Sequence, residues 1–177
     1  MMLLWAVTVV APFNPVDPAP QAGSLVRVEI ANRGTLEIRL DLAKAPRTSG
    51  HFRSLVQRGF YNGHVVFDVN RTPRPYVLRA GDPFAKPGAL TDARIGTGGS
   101  GTTVAFEEND LVHEEGSVGL SHPPGNRNGG DSQFYIALGR IKLLDGKYTL
   151  FGKVTTGLEV LRTLEKGDVI TRMTVVN

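Results

Sequence analysis

The sequence predicts a mainly-β domain: a closed antiparallel barrel with two α-helices covering its ends. Three observations carry this expectation. Many short segments alternate apolar and polar residues at strand length. Turn formers are abundant, with 21 Gly and 11 Pro among 177 residues. Only two stretches, far apart in the chain, carry apolar residues at helical spacing, so helices can cap the sheet but not layer it. The length is that of one domain with a core of its own, and neither an internal repeat nor a second domain is evident.

The elements follow in order. Val26–Ile30 and Leu36–Leu40 alternate cleanly around Asn32-Arg33-Gly34, a hairpin signal. Pro46 can open a helix in its first turn and Gly59 can close it, with Phe52, Leu55 and Val56 as its apolar stripe. Strands are expected at 65–69, 76–78, 104–106, 117–120, 134–138, 148–154 and 170–176. Leu158, Leu161 and Leu164 mark the second helix.

Composition excludes several function classes. Charged residues make up 21% and hydrophobic residues 41%, as in a soluble globular protein. No cysteine is present, which excludes disulfides, thiol catalysis and thiolate metal sites. The net charge of +3 is scattered along the chain, so nucleic acid is not an expected partner. Met1–Ala11 is apolar but too short to span a bilayer. It reads as the core of an export signal without its basic flank, leaving the chain extracytoplasmic, or as a truncated or mis-started reading frame or an extra strand in a cytoplasmic protein. Pro12–Gly23 reads as a Pro-rich linker. Residues 1–24 are thus set apart from a domain at 25–177.

The most informative stretch is Gly129-Gly130-Asp131-Ser132-Gln133-Phe134-Tyr135-Ile136-Ala137-Leu138, followed by Leu144-Asp145-Gly146-Lys147-Tyr148-Thr149-Leu150-Phe151-Gly152-Lys153-Val154. Alternation puts Phe134, Ile136 and Leu138 on one face and Gln133, Tyr135 and Ala137 on the other. An amide and an aromatic ring sharing a face beside a Gly-rich loop suit a peptide: the amide bonds backbone and the ring walls an apolar pocket. This stretch closely resembles the cyclophilin-type peptidyl-prolyl cis-trans isomerases, with the chain reading as a divergent, bacterial-like member. Ala45-Pro46-Arg47-Thr48, Gly59-Phe60-Tyr61-Asn62-Gly63, Ala80-Gly81-Asp82, Gly96-Thr97-Gly98-Gly99, Phe106-Glu107-Glu108-Asn109 and Gly119-Leu120-Ser121 follow in family order. The resemblance implies an eight-stranded barrel with two helices, no cofactor, and rotation of X-Pro bonds that assists folding. The expected partners are Pro-containing polypeptides, bound by a monomer with no membrane span.

Rotating a prolyl bond needs no nucleophile or metal. An apolar pocket disfavours the charge-separated amide, and a fixed donor bonds the prolyl nitrogen as conjugation is lost. An arginine suits that role. Counting back from Gly81-Asp82 puts Arg71 on the family's catalytic arginine position, with Tyr76 and Val77 in the pocket. Three additional residues before it would then form a bulge or longer turn near His64 to Phe67. Counting forward from Gly63 instead leaves Asp68 or Val69 at that position, with the extra residues further on. The first count keeps the spacing to Gly81-Asp82 and is preferred, with Arg74 a second candidate. The resemblance also implies substrate contacts for Gln133, Tyr135, Leu143, Leu144 and Tyr148. Arg79 replaces a Gln that normally bonds the catalytic Arg, so it and Arg71 would repel unless one turns away. Pro123 and Pro124 fall in the loop that pairs with substrate backbone, where Pro124 has no N–H to give. These departures leave an alternative: a binding module that holds Pro-containing segments without turning them.

Other motifs weigh less. Gly96–Gly101 fits G-x-G-x-x-G, but strand residues rather than a helix follow it. His51, His64, His113 and His122 show no ligand spacing and read as surface or loop residues. Glu107, Glu108, Asp110, Glu114 and Glu115 read as a solvated acidic loop. Asn70-Arg71-Thr72 is a formal glycosylation sequon overlapping the proposed site.

Overall fold

The structure is a computed structural model in which residues 24–73 and 76–176 are described. The expectations for residues 1–23 and for Arg74 lie outside them. Among the described residues the chain forms eight strands and two α-helices. In order they are β1 (Leu25–Ile30), β2 (Gly34–Leu40), α1 (Pro46–Gln57), β3 (Asp68–Asn70), β4 (Val77–Ala80), β5 (Ser117–Leu120), β6 (Phe134–Ala137), β7 (Leu150–Thr156), α2 (Leu158–Thr163) and β8 (Ile170–Val176). A short 3-10 turn, Lys142–Leu144, precedes β7. No helix among the described residues is long and apolar enough to cross a membrane.

The strands form one antiparallel sheet in the order β3-β4-β6-β5-β7-β2-β1-β8. The β1–β2 hairpin turns at Asn32, whose φ of 59° a β-branched residue would resist. Val26, Val28 and Ile30 of β1 and Leu36, Ile38 and Leu40 of β2 alternate into the core. Phe52 of α1 sits amid the rings of Tyr61, Phe134 and Phe151, at centroid distances of 5.0–5.3 Å.

The expected closed barrel is corrected to an open half-barrel. β3 and β8 are the sheet edges and do not pair with each other. Their seam is crossed instead by backbone bonds from residues 63–66 to 168–170, centred on the isolated bridge Val65–Val169. Gly63 (φ 78°) and Gly167 (φ 101°) bend the chain beside this bridge, so a ladder cannot extend along the seam. Two expected strands shrink for related reasons. Val65 and Val104 each make a single bridge, and β3 begins only at Asp68.

Glu107, expected in solvent, is 8% exposed. Ala45, preceding α1, supplies no side-chain cap. The Glu107 carboxylate takes that place, accepting the backbone N–H of Arg47 at 3.0 Å and those of the Thr48 backbone and hydroxyl at 2.7 Å. Three other acids of the run pair at the surface: Asp110 with Lys44, Glu114 with Lys153 and Glu115 with Arg162.

Candidate active site

β4 and β6 carry apolar residues on both faces, and this is what builds a site outside the core. Leu78, Ala80, Phe134 and Ile136 point into the main core. Val77, Tyr135 and Ala137 point the other way and form a second cluster with Ile141, against which Leu144 and Tyr148 pack. The register places Val77 opposite Ala137 and Arg79 opposite Tyr135, so these four share the outer face. Tyr135 lies flush with the sheet because residue 119, opposite it on β5, is glycine. A Cβ at Gly119 would overlap the tyrosine ring.

The Tyr135 ring is held by a buried relay. Its hydroxyl lies 2.6 Å from Nε2 of His113, whose Nδ1 lies 3.0 Å from Asp145 Oδ1. Asp145 also accepts two bonds from the Arg140 guanidinium, and Arg140 holds its carboxyl well below the usual carboxylate range. Burial pushes the His113 pKa down despite Asp145. Asp145 is thus an acceptor only, which makes His113 Nδ1 the protonated nitrogen and Nε2 the acceptor of the Tyr135 hydroxyl. Burial also pushes the Tyr135 phenol well up, so it stays protonated. His113, expected at the surface, is wholly buried because this relay satisfies both ring nitrogens.

Gln133 borders the pocket on the loop side. Its Nε2 donates to Asp82 Oδ2 (3.1 Å) and to the Gly98 carbonyl (2.8 Å). Asp82, fully buried, also accepts the N–H groups of Phe84, Gly96 and Gly98 and so ties the Gly-rich loop to the site. Beyond Gln133 opens a cleft of about 540 Å³, lined by this loop, Ser121, His122, Pro123 and Pro124. The His122 ring stacks on Tyr148 at 4.5 Å, and Tyr148 meets the Tyr135 ring edge-on at 5.6 Å.

The structure does not gather every expected residue. Leu143 is 64% exposed and stands off the wall, because the 3-10 turn directs Leu144 inward instead. Tyr76 is half-buried beside Gly139 and is not part of the apolar cluster. Arg71 differs most. Asp68 pairs with Arg79, Val69 with Leu78 and Asn70 with Val77, so Arg71 lies one position past the ladder. It is exposed, and its Nη2 donates to the Leu164 carbonyl at 2.7 Å. Residues 64–67 lie outside any strand ahead of β3, and the ladder ends at Asn70. Pro73 and Pro75 account for this, since neither can give an N–H to a ladder. Asp68 and Arg79 are left facing each other on the outer side, Arg79 Nη1 to Asp68 Oδ2 at 2.5 Å. No group of three or more His, Asp or Glu that could hold a metal ion occurs among the described residues.

Comparisons with known proteins agree with this architecture. Residues 25–176 match the family described as cyclophilin type peptidyl-prolyl cis-trans isomerase/CLD. A peptidyl-prolyl cis-trans isomerase of Helicobacter pylori is 33% identical over 143 residues, covering 78% of this chain and 79% of its own. Peptidyl-prolyl cis-trans isomerase B of Bacillus subtilis is 34% identical over 137 residues, covering 76% and 86%. A Cryptosporidium parvum cyclophilin type isomerase, crystallised in the presence of the dipeptide Ala-Pro, superposes with a TM-score of 0.71 at 24% identity. That match covers 86% of this chain and 99% of the other.

Proposed function

The chain belongs to the cyclophilin-type peptidyl-prolyl cis-trans isomerases, and we propose that it turns X-Pro bonds with the proline ring seated on Val77, Tyr135, Ala137 and Ile141. One observation carries the proposal: an apolar pocket on the outer face of β4 and β6, with a guanidinium from the same face at its edge. The barrier to rotation is about 18–20 kcal/mol and comes from amide conjugation. A pocket without water disfavours the charge-separated amide and so lowers that barrier from the ground-state side. The relay behind Tyr135 keeps the ring from following the substrate as it turns, so the pocket grips the proline while the preceding residue swings.

The rest of the groove holds the peptide in register. With its N–H groups committed to Asp82 and Gly98, Gln133 offers its Oε1 as an acceptor for peptide N–H. Pro124 gives no N–H, so affinity from the 123–129 loop is reduced. Flanking residues of an extended peptide run from Gln133 into the neighbouring cleft. The natural substrates are X-Pro bonds of unfolded or flexible chains, whose uncatalysed turnover takes tens to hundreds of seconds.

The test is NMR exchange spectroscopy on a short Ala-Pro peptide with the full chain. Acceleration of cis-trans exchange at substoichiometric protein is expected. Peak shifts that saturate with no gain in exchange rate would replace the isomerase by a module that only binds.

A further inference from the structure

We infer that Arg79, on β4, is the catalytic guanidinium of this chain, and that Asp68, its cross-strand partner on β3, is the residue that positions it. The inference rests on the isomerase reading above and names the donor within it. Three observations carry it. Arg79 stands directly opposite Tyr135 in the β4–β6 ladder and next to Val77, so its side chain leaves the sheet on the pocket side. Of its five N–H donors one is spent on Asp68, and the others have no acceptor among the described residues. Arg71 lies past the end of β3 and has its Nη2 on the Leu164 carbonyl. Arg140, beyond the pocket wall, is committed to Asp145 and to the His113 carbonyl.

The Arg79 charge reaches the pocket, since it acts on the Tyr135 phenol against the effect of burial. In the reaction no covalent bond forms or breaks. As the C–N bond twists, the nitrogen lone pair is released from conjugation, and an Arg79 N–H donates to it. That hydrogen bond is weak in the planar ground state and strong at the twisted transition state, which is the condition for catalysis. Asp68 leaves the guanidinium charged and bonds one corner of it, which fixes the plane of the remaining fork. At 42% and 40% side-chain exposure the pair adds little to stability, so its role is read in turnover.

The experiment measures exchange at saturating Ala-Pro peptide, together with peptide Kd, on the full chain and its variants. R79Q is expected to lower turnover on the order of 10²–10³-fold with Kd little changed, the loss typical of removing one transition-state donor. D68N is expected to lower kcat on the order of tenfold at unchanged KM, and D68E to restore most of it, as for a group that orients another. Should R79Q not fold, R79K is read instead; lysine keeps the charge but gives up the fork, and a clear loss of turnover is expected. Arg79 variants that keep the turnover of an active parent overturn the inference. So does a loss in Arg71→Ala with R79Q at the parent level, which returns the role to Arg71. A parent that binds peptide without accelerating exchange overturns the isomerase reading itself, a failure visible before any substitution is made.

Discussion

His64 makes stability depend on pH in a window that can be worked out. The ring is 2% exposed, meets Phe60 and Tyr61 edge-on at 5.0 and 6.0 Å, and its Nδ1 has no hydrogen-bond partner. Burial, helped by Lys86 and opposed by Asp82, pushes its pKa from 6.5 down to about 4. The unfolded chain therefore takes up this proton first as pH falls. Stability from the neutral ring is full above pH 6.5 and is lost progressively down to pH 4. Integrated over the two pKa values, the loss between pH 7 and pH 5 is about 2 kcal/mol, and about 3 kcal/mol over the whole window. His113, also depressed, adds a loss of the same sign, so a variant must isolate His64. His64→Phe keeps an aromatic ring against Phe60 and Tyr61 and removes both the titration and the unpaired nitrogen. Urea denaturation at pH 7 and pH 5 gives the four stabilities. The parent should lose about 2 kcal/mol more than His64→Phe across that interval. Equal losses in the two proteins would refute the reasoning.

Two further predictions concern the pocket. Tyr135→Phe keeps the ring but strands His113 Nε2 without its donor, at a cost of about 1–3 kcal/mol. Calorimetry should show a melting point lower by roughly 3–10 °C, and turnover should fall with it as the ring loses its tether. Gly119→Ala drives a methyl into the Tyr135 ring and should cost about 1–3 kcal/mol. It should also weaken Ala-Pro peptide binding in an NMR titration, because the displaced ring occupies the proline position.

Much of the architecture was legible because it depends on local pattern. The β1–β2 hairpin, the Phe52 stripe of α1 and the two-faced β6 follow from alternation, spacing and turn chemistry, and all three form as expected. The failures are non-local. Whether a curled sheet closes depends on how residues 63–66 meet 167–170, a pairing across a hundred residues that no periodicity records. The arginine assignment turned on where extra residues sit between Gly63 and Gly81. Pro73 and Pro75 were the available signal, since a run with two prolines cannot continue a ladder, and weighing them favours Asp68 over Arg71 as the partner of Arg79. His113 and Glu107 could not be read as buried, because what buries them, Tyr135 with Asp145 in one case and the start of α1 in the other, is distant in sequence.

The distant cap on α1 has a consequence for the order in which the chain acquires structure. A twelve-residue helix is marginal by itself, and this one begins without a capping side chain of its own. Glu107 supplies it from some sixty residues downstream. Glu107 is in turn pinned by Thr149, which accepts its N–H and donates to its carbonyl. Phe151, two residues later, is one of the rings that closes over Phe52. The start of α1, the loop at 107 and the entry to β7 are therefore tied to one another in the folded chain. Residues 46–57 are synthesised before the residues that cap and pin their first turn, Glu107 and Thr149. Amides of α1 and β7 accordingly belong to one cooperative unit, although nearly a hundred residues separate them along the chain.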